Sequence, residues 1–123
     1  MEQKSGISSP KARNKISGNI GEAKSVLYLK NLGYEILETN YKLPFGEIDI
    51  IAKDGERVIF VEVKVRNSIR HGYPREAVTK EKQQTIRRVA ECYLKKKRAL
   101  DRYTRFDVIE ILKDKITHLK NAF

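Results

Sequence analysis

One cysteine, Cys92, stands in a chain of 123 residues. A lone thiol excludes an intramolecular disulfide and fits a reducing compartment, so the expected location is cytoplasmic. Cys92 sits inside a helical pattern with no helix N-terminus beside it to lower its pKa, and it reads as a packing residue. No apolar run approaches the roughly 18 residues that span a bilayer, so no membrane partner is expected. The first fifteen residues lack the apolar stretch of a secretory signal. Repeats, low-complexity tracts and internal domain boundaries are also missing, and the length suits one domain with one core.

Acidic charge is in short supply too, at 16 residues against 26 basic ones. The imbalance is local. Residues 1–15 hold four basic and one acidic residue, residues 16–78 hold nine of each, and residues 79–98 hold eight basic against two acidic. The excess therefore lies on the N-terminal segment and on one predicted helix. Clustered positive charge is the usual footprint of a polyanion partner, most often nucleic acid. A plain solubility charge is the other reading.

Residues 1–15 read as a flexible basic arm, and 16–123 as a single domain. A first helix is expected over 17–32, capped by Ser17 and stopped by Gly33, with Ile20, Ala23 and Leu27 on one stripe. Glu22 lines up instead with Val26 and Leu29; taken alone it is a first-turn acid favoured by the helix dipole. A strand over Tyr34–Tyr41 follows, and Leu43-Pro44-Phe45-Gly46 turns the chain. Residues 67–75 form a loop, where His71 reads as solvated. The clearest helix covers 79–98, with Ile86, Val89, Ala90, Tyr93 and Leu94 at helical spacing. Phe106–Leu112 and Ile116–Lys120 read as strands around an Asp114-Lys115 turn, and His118 reads as structural or exposed. The expected order is α-β-β-β-α-β-β, an α/β layer with a mixed sheet flanked by helices.

The stretch 46–66 stands out. Two β-branched runs flank Asp54-Gly55, a hairpin signal. With Asp54–Arg57 as the loop, Lys53 pairs with Val58 and Asp49 falls opposite Glu62, with Lys64 two residues on. On the first strand Glu47 and Asp49 share a face. Two carboxylates held together repel, and without help one takes up a proton. A divalent cation removes that conflict. Oxygen ligands suit Mg²⁺ or Mn²⁺, with Asp49, Glu62 and the Val63 carbonyl as the expected ligands. Lys64 would then orient water, neutralise developing charge or act as a base, parts sufficient for phosphodiester hydrolysis. The competing reading is a solvent-facing charge ladder with a cross-strand ion pair between Asp49 and Lys64.

A helix glutamate, a strand aspartate, a strand Glu-x-Lys and a following helix resemble the PD-(D/E)xK nuclease superfamily. More closely, Gly21-Glu22, Gly33-Tyr34, Asn40, Gly46-Glu47-Ile48-Asp49-Ile50-Ile51-Ala52, Val61-Glu62-Val63-Lys64-Val65-Arg66 and Arg105-Phe106-Asp107 resemble the YraN-like family of small bacterial proteins, similar in fold to archaeal Holliday junction resolvases. The resemblance covers residues 16–123 and implies a restriction-endonuclease-like core. It implies a metal-dependent endonuclease acting on DNA, with Asp49 and Glu62 as metal ligands, Lys64 as the catalytic lysine and Glu22 as the helix acid completing the catalytic set. Ile48 stands where the superfamily's name has proline. Glu47 and Gln83 are expected to support the site from behind. Arg66, Lys82, Arg87, Arg88, Lys95 and Lys96 are expected to contact phosphates. Branched DNA is the substrate suggested by fold analogy, and a homodimer by the two cuts that junctions require. The alternative function is a non-catalytic nucleic-acid-binding module on the same fold.

Overall fold

The β-branched runs on either side of Gly55 do pair as a hairpin. In a computed structural model, which describes residues 10–66 and 78–123, the expected element order holds. The elements are α1 (Pro10–Asn31), β1 (Glu35–Leu43), β2 (Gly46–Asp54), β3 (Arg57–Arg66), α2 (Lys80–Lys96), β4 (Tyr103–Leu112) and β5 (Lys115–Leu119). The first nine residues of the expected arm, and the loop with His71, lie outside the described residues. Lys53 pairs with Val58 as expected, but Asp54 also pairs with Arg57. The loop is thus Gly55-Glu56 rather than four residues, and the register is unchanged. Gly55, at φ 62°, supplies the left-handed turn that such a short hairpin needs.

The sheet runs β1-β2-β3-β4-β5. Only β3 and β4 are parallel, because α2 lies between them in the chain and carries it back across the sheet. On one face α2 presents Ile86, Val89, Ala90, Tyr93 and Leu94 to Ile51, Val58, Phe60 and Val108. On the other, Leu29 of α1 packs over Ile50, Ala52, Ile59, Val61, Ile109 and Ile111. The central strands are covered on both sides, which is why they read as near-continuous apolar runs.

The first helix departs from expectation. It begins at Pro10, so Ser17 lies within it instead of capping it. Ile20 and Leu27, expected on the buried stripe, are 53% and 61% exposed. The face that meets the sheet is Gly21, Ser25 and Leu29. A Cβ at Gly21 would run into the Val65 side chain. The buried Ser25 hydroxyl donates to the Gly21 carbonyl at 2.9 Å, a bond within the helix that needs no sheet partner. Small residues buy close approach here, and they carry no hydrophobic signal.

A buried polar network fastens α1 to the far side of the sheet. Asp107 on β4 is fully buried. It accepts from Arg105 Nε at 2.8 Å and Nη2 at 2.9 Å, from His118 Nε2 at 2.8 Å and from the Asn121 amide at 2.9 Å. Arg105 also donates to the Tyr34 hydroxyl at 2.8 Å, and the Tyr28 hydroxyl of α1 lies 3.1 Å from His118 Nδ1. Burial opposes the Asp107 charge, but the bonds from His118, Arg105 and Asn121 outweigh it and hold the carboxyl below its usual pKa. His118 is accordingly a buried partner, not an exposed strand residue. Removing one member of such a network strands the others without partners. Asp107→Ala is therefore expected to cost about 3–5 kcal/mol. Urea unfolding of both proteins measures this, and a loss below about 1 kcal/mol would mean the network is not the fastening described.

Candidate functional site

Where β1, β2 and β3 run side by side, the β1–β2 ladder skips one residue of β2 and the β2–β3 ladder stops just short of it. Thr39 pairs with Ile50 and Tyr41 with Ile48, leaving Asn40 opposite Asp49 outside the ladder. The β2–β3 ladder ends at Ile50 and Val61, so the next step would set Asp49 against Glu62. Asn40 takes φ 51°, a left-handed conformation that asparagine tolerates better than most residues. The strand changes phase at this break. Ile48 and Ile51 pack in the α2 layer while Ile50 and Ala52 pack in the α1 layer, where strict alternation would put Ile48 and Ile50 on one face.

The break frees Asp49 to turn its carboxylate toward β3. Its Oδ2 accepts the Val63 amide at 2.8 Å, and its carboxyl is within hydrogen-bond reach of Glu62. Burial, then the Glu62 charge, push the Asp49 carboxyl up from the usual 3.8 to about 7. Glu62 itself is only 5% exposed. Two ammonium groups meet its Oε2: Lys64 Nζ at 3.5 Å, and Lys82 Nζ, from the first turn of α2, at 3.2 Å. Thr79 fixes that turn by capping α2 through the Lys82 amide at 3.1 Å.

Glu22 approaches from α1. Asn40 Nδ2 donates to its Oε1 at 2.6 Å, which ties the helix acid to the residue opposite Asp49. Burial raises the Glu22 pKa, the Asn40 bond works against that, and the Glu47 charge adds to it. The Glu22 charge in turn raises Asp49. Glu22, Asp49, Glu62 and Lys64 thus belong to one electrostatic group. Among the described residues, no three acidic, histidine or cysteine side chains stand gathered as a ready metal cage.

The remaining expected residues divide. Val63 enters the site through its amide, by the bond to Asp49. Glu47 lies 4.0 Å from Lys42 at the edge. The Gln83 side-chain amide donates to the Val78 carbonyl at 3.0 Å. Arg66 is turned inward, with Nε 2.6 Å from Glu110 Oε2 and a side chain only 8% exposed. Arg87, Arg88, Lys95 and Lys96 are exposed on α2. Two residues gained roles that spacing did not assign. Asn40 creates the break and holds Glu22; a poor strand former inside a β run is the signal. Phe45, at the β1–β2 turn, lies under Arg88 with the guanidinium carbon 3.9 Å from the ring centre.

Among the described residues no helix is long and apolar enough to cross a membrane. The profile of the uncharacterised protein family UPF0102 matches residues 21–111. A UPF0102 protein of Alkaliphilus oremlandii is 52% identical over 116 residues, covering 89% of this chain and 99% of that protein. One from Acetivibrio thermocellus is 47% identical over 92% of this chain and 95% of its own length. Another, from Caldicellulosiruptor saccharolyticus, is 46% identical over 86% and 95%.

The Asp49 carboxyl binds its proton more tightly in the folded protein than in the unfolded chain. Its contribution is fully favourable below pH 3.8 and is lost as pH rises through about 7. Asparagine at this position can still accept the Val63 amide and donate to Glu62. Asp49→Asn is expected to be more stable than the wild type at pH 8, by about 2–4 kcal/mol, with the gain vanishing toward pH 4. Thermal unfolding in EDTA across that range checks it; parallel pH profiles would contradict the squeezed carboxyl.

Proposed function

The chain belongs to the UPF0102 family, and we propose that it is a metal-dependent endonuclease of the PD-(D/E)xK type, hydrolysing DNA phosphodiester bonds with branched DNA among its substrates. The observation that carries this reading is the meeting of Asp49 and Glu62 where the ladders break, with Lys64 and Lys82 both on Glu62. A buried Glu62 beside a half-buried Asp49, whose carboxyl the Glu62 charge helps push up to about 7, fits a hard divalent cation, Mg²⁺ or Mn²⁺. Asp49 and Glu62 would hold it, with the Val63 carbonyl as a further oxygen and Glu22 adding negative charge from α1. Bound there, such a cation supplies Lewis-acid polarisation of a phosphoryl oxygen and makes water more acidic.

The chain's own groups do the rest. Lys64, the less exposed of the two lysines, orients the attacking water and neutralises charge developing on the phosphate. Lys82 is 43% exposed and can transfer its charge from Glu62 to an incoming phosphate. The Val63 amide holds Asp49 in place through a fixed backbone donor. Arg87, Arg88, Lys95 and Lys96 line the exposed side of α2 and contact backbone phosphates without reading sequence.

A second reading is a binding module that does not cut. It is favoured by the two lysines, which already satisfy Glu62, and by the lack of a gathered three-ligand cage among the described residues. The two separate in a cleavage assay on linear, nicked, flapped and four-way DNAs with Mg²⁺ or Mn²⁺. The nuclease reading expects cleavage that falls about 100-fold or more in Asp49→Ala and in Lys64→Ala. Equal cleavage by the variants, or none by the wild type, would overturn it. Salt-dependent DNA binding without cleavage would select the binding module.

A further inference from the structure

The Phe45–Arg88 stack is not explained by the chemistry of the acid pair. Phe45 occupies the tip of the β1–β2 turn, is 36% exposed, and carries the Arg88 guanidinium 3.9 Å over its ring centre. The tip is clamped. A Cβ at the neighbouring Gly46 would collide with Thr85 and crowd Val89 of α2, so turn and helix are in direct contact. Phe45 and Arg88 are therefore held on rigid elements at a fixed distance from the acids. Asp49 lies four positions beyond Phe45 along the strand, about 13 Å at the usual rise. Along α2, Arg88 lies six positions beyond Lys82, about 9 Å. Beyond the stack, Arg88 borders an open hollow of about 360 Å³ shared with Arg87, Glu91 and Phe106.

A partly exposed aromatic ring under an arginine of the most basic segment of the chain is suited to bind a nucleobase with its own phosphate. A continuous duplex keeps its bases stacked inside and cannot offer one to a surface ring. We propose that Phe45 and Arg88 form a subsite for an unpaired nucleotide, about 9–13 Å along the two elements from the residues of the acid site. The base stacks at Phe45, and Arg88 contacts its phosphate. The substrate class is then DNA with unpaired nucleotides beside the cut, such as a flap, a gap or a melted junction arm. This rests on the nuclease reading of the acid pair only for the position of the cut; the subsite itself is a matter of binding.

The chain has no tryptophan and six tyrosines, so Phe45→Trp creates a sole tryptophan at the subsite, excited selectively beyond the tyrosine absorption band. In EDTA, where no cutting occurs, the full-length variant is titrated with oligo-dT and with a blunt duplex of equal length. Anisotropy of labelled DNA follows binding to the wild type, Phe45→Ala, Phe45→Tyr and Arg88→Ala. Three results are expected. Tryptophan emission quenches with the single strand and not with the duplex. Phe45→Ala weakens single-strand binding about tenfold while leaving duplex binding within about twofold, and Phe45→Tyr restores it. Arg88→Ala weakens single-strand binding as well. Equal weakening for both DNAs, or no quench at saturating single strand, would overturn the subsite and leave the acid-pair reading standing. Absence of any DNA binding by the wild type would overturn both.

Discussion

The Glu62 charge acts on Asp49 across a break in the sheet, and much of the molecule is arranged around keeping the two acids together. Asp49 can reach Glu62 because β2 skips one pairing with β1 and its ladder with β3 ends at Ile50, where Asn40 takes a left-handed conformation opposite Asp49. An unbroken ladder would leave these groups on a regular pleated surface, as a charge ladder. With the break, Asp49 carries its carboxyl up to about 7 and Glu62 collects two lysines from two different elements. Strain of this kind needs a rigid frame, because a soft one would relax the two acids apart.

The frame is built by two unlike devices. On the α2 side it is close packing, with Gly46 pressed on Thr85 and Val89 and an apolar helix face over Phe60 and Val108. Lys82 is thereby brought onto Glu62 from the first turn of the helix. On the α1 side small residues let the helix come down on Val65, and Tyr28 joins the buried network of His118, Asp107 and Arg105. That network holds the helix that carries Glu22, though it contains no residue of the acid group. Its role is mechanical: a satisfied buried ion cluster fixes one arrangement because every alternative leaves a charge unpaired.

The hairpin was legible in the sequence because its signals are local. Gly55 between β-branched runs fixes the turn, and the turn fixes which acid meets which. The second helix was legible because its apolar face is wide and its far face basic. Other features escaped because tertiary approach decides them. The buried face of α1 is small instead of apolar, so periodicity selected Ile20 and Leu27, which the structure exposes. His118 had no sequence neighbour to announce Asp107, eleven residues away on the adjacent strand. Arg66 looked like a surface cation and instead meets Glu110, since the two strands pair in parallel beside it. Gln83 sits at the right height on α2 but spends its amide on the helix start.

The central claim is that Asp49 and Glu62 are a place for one hard divalent cation. Equilibrium binding of Mn²⁺, followed by loss of the free-ion electron paramagnetic resonance signal, tests it without any substrate. The account predicts one Mn²⁺ per chain, displaced by excess Mg²⁺ and weakened at least tenfold in both Asp49→Asn and Glu62→Gln, folded variants in which the carboxylate pair no longer exists. Binding that is absent in the wild type, or unchanged in both variants, would contradict it.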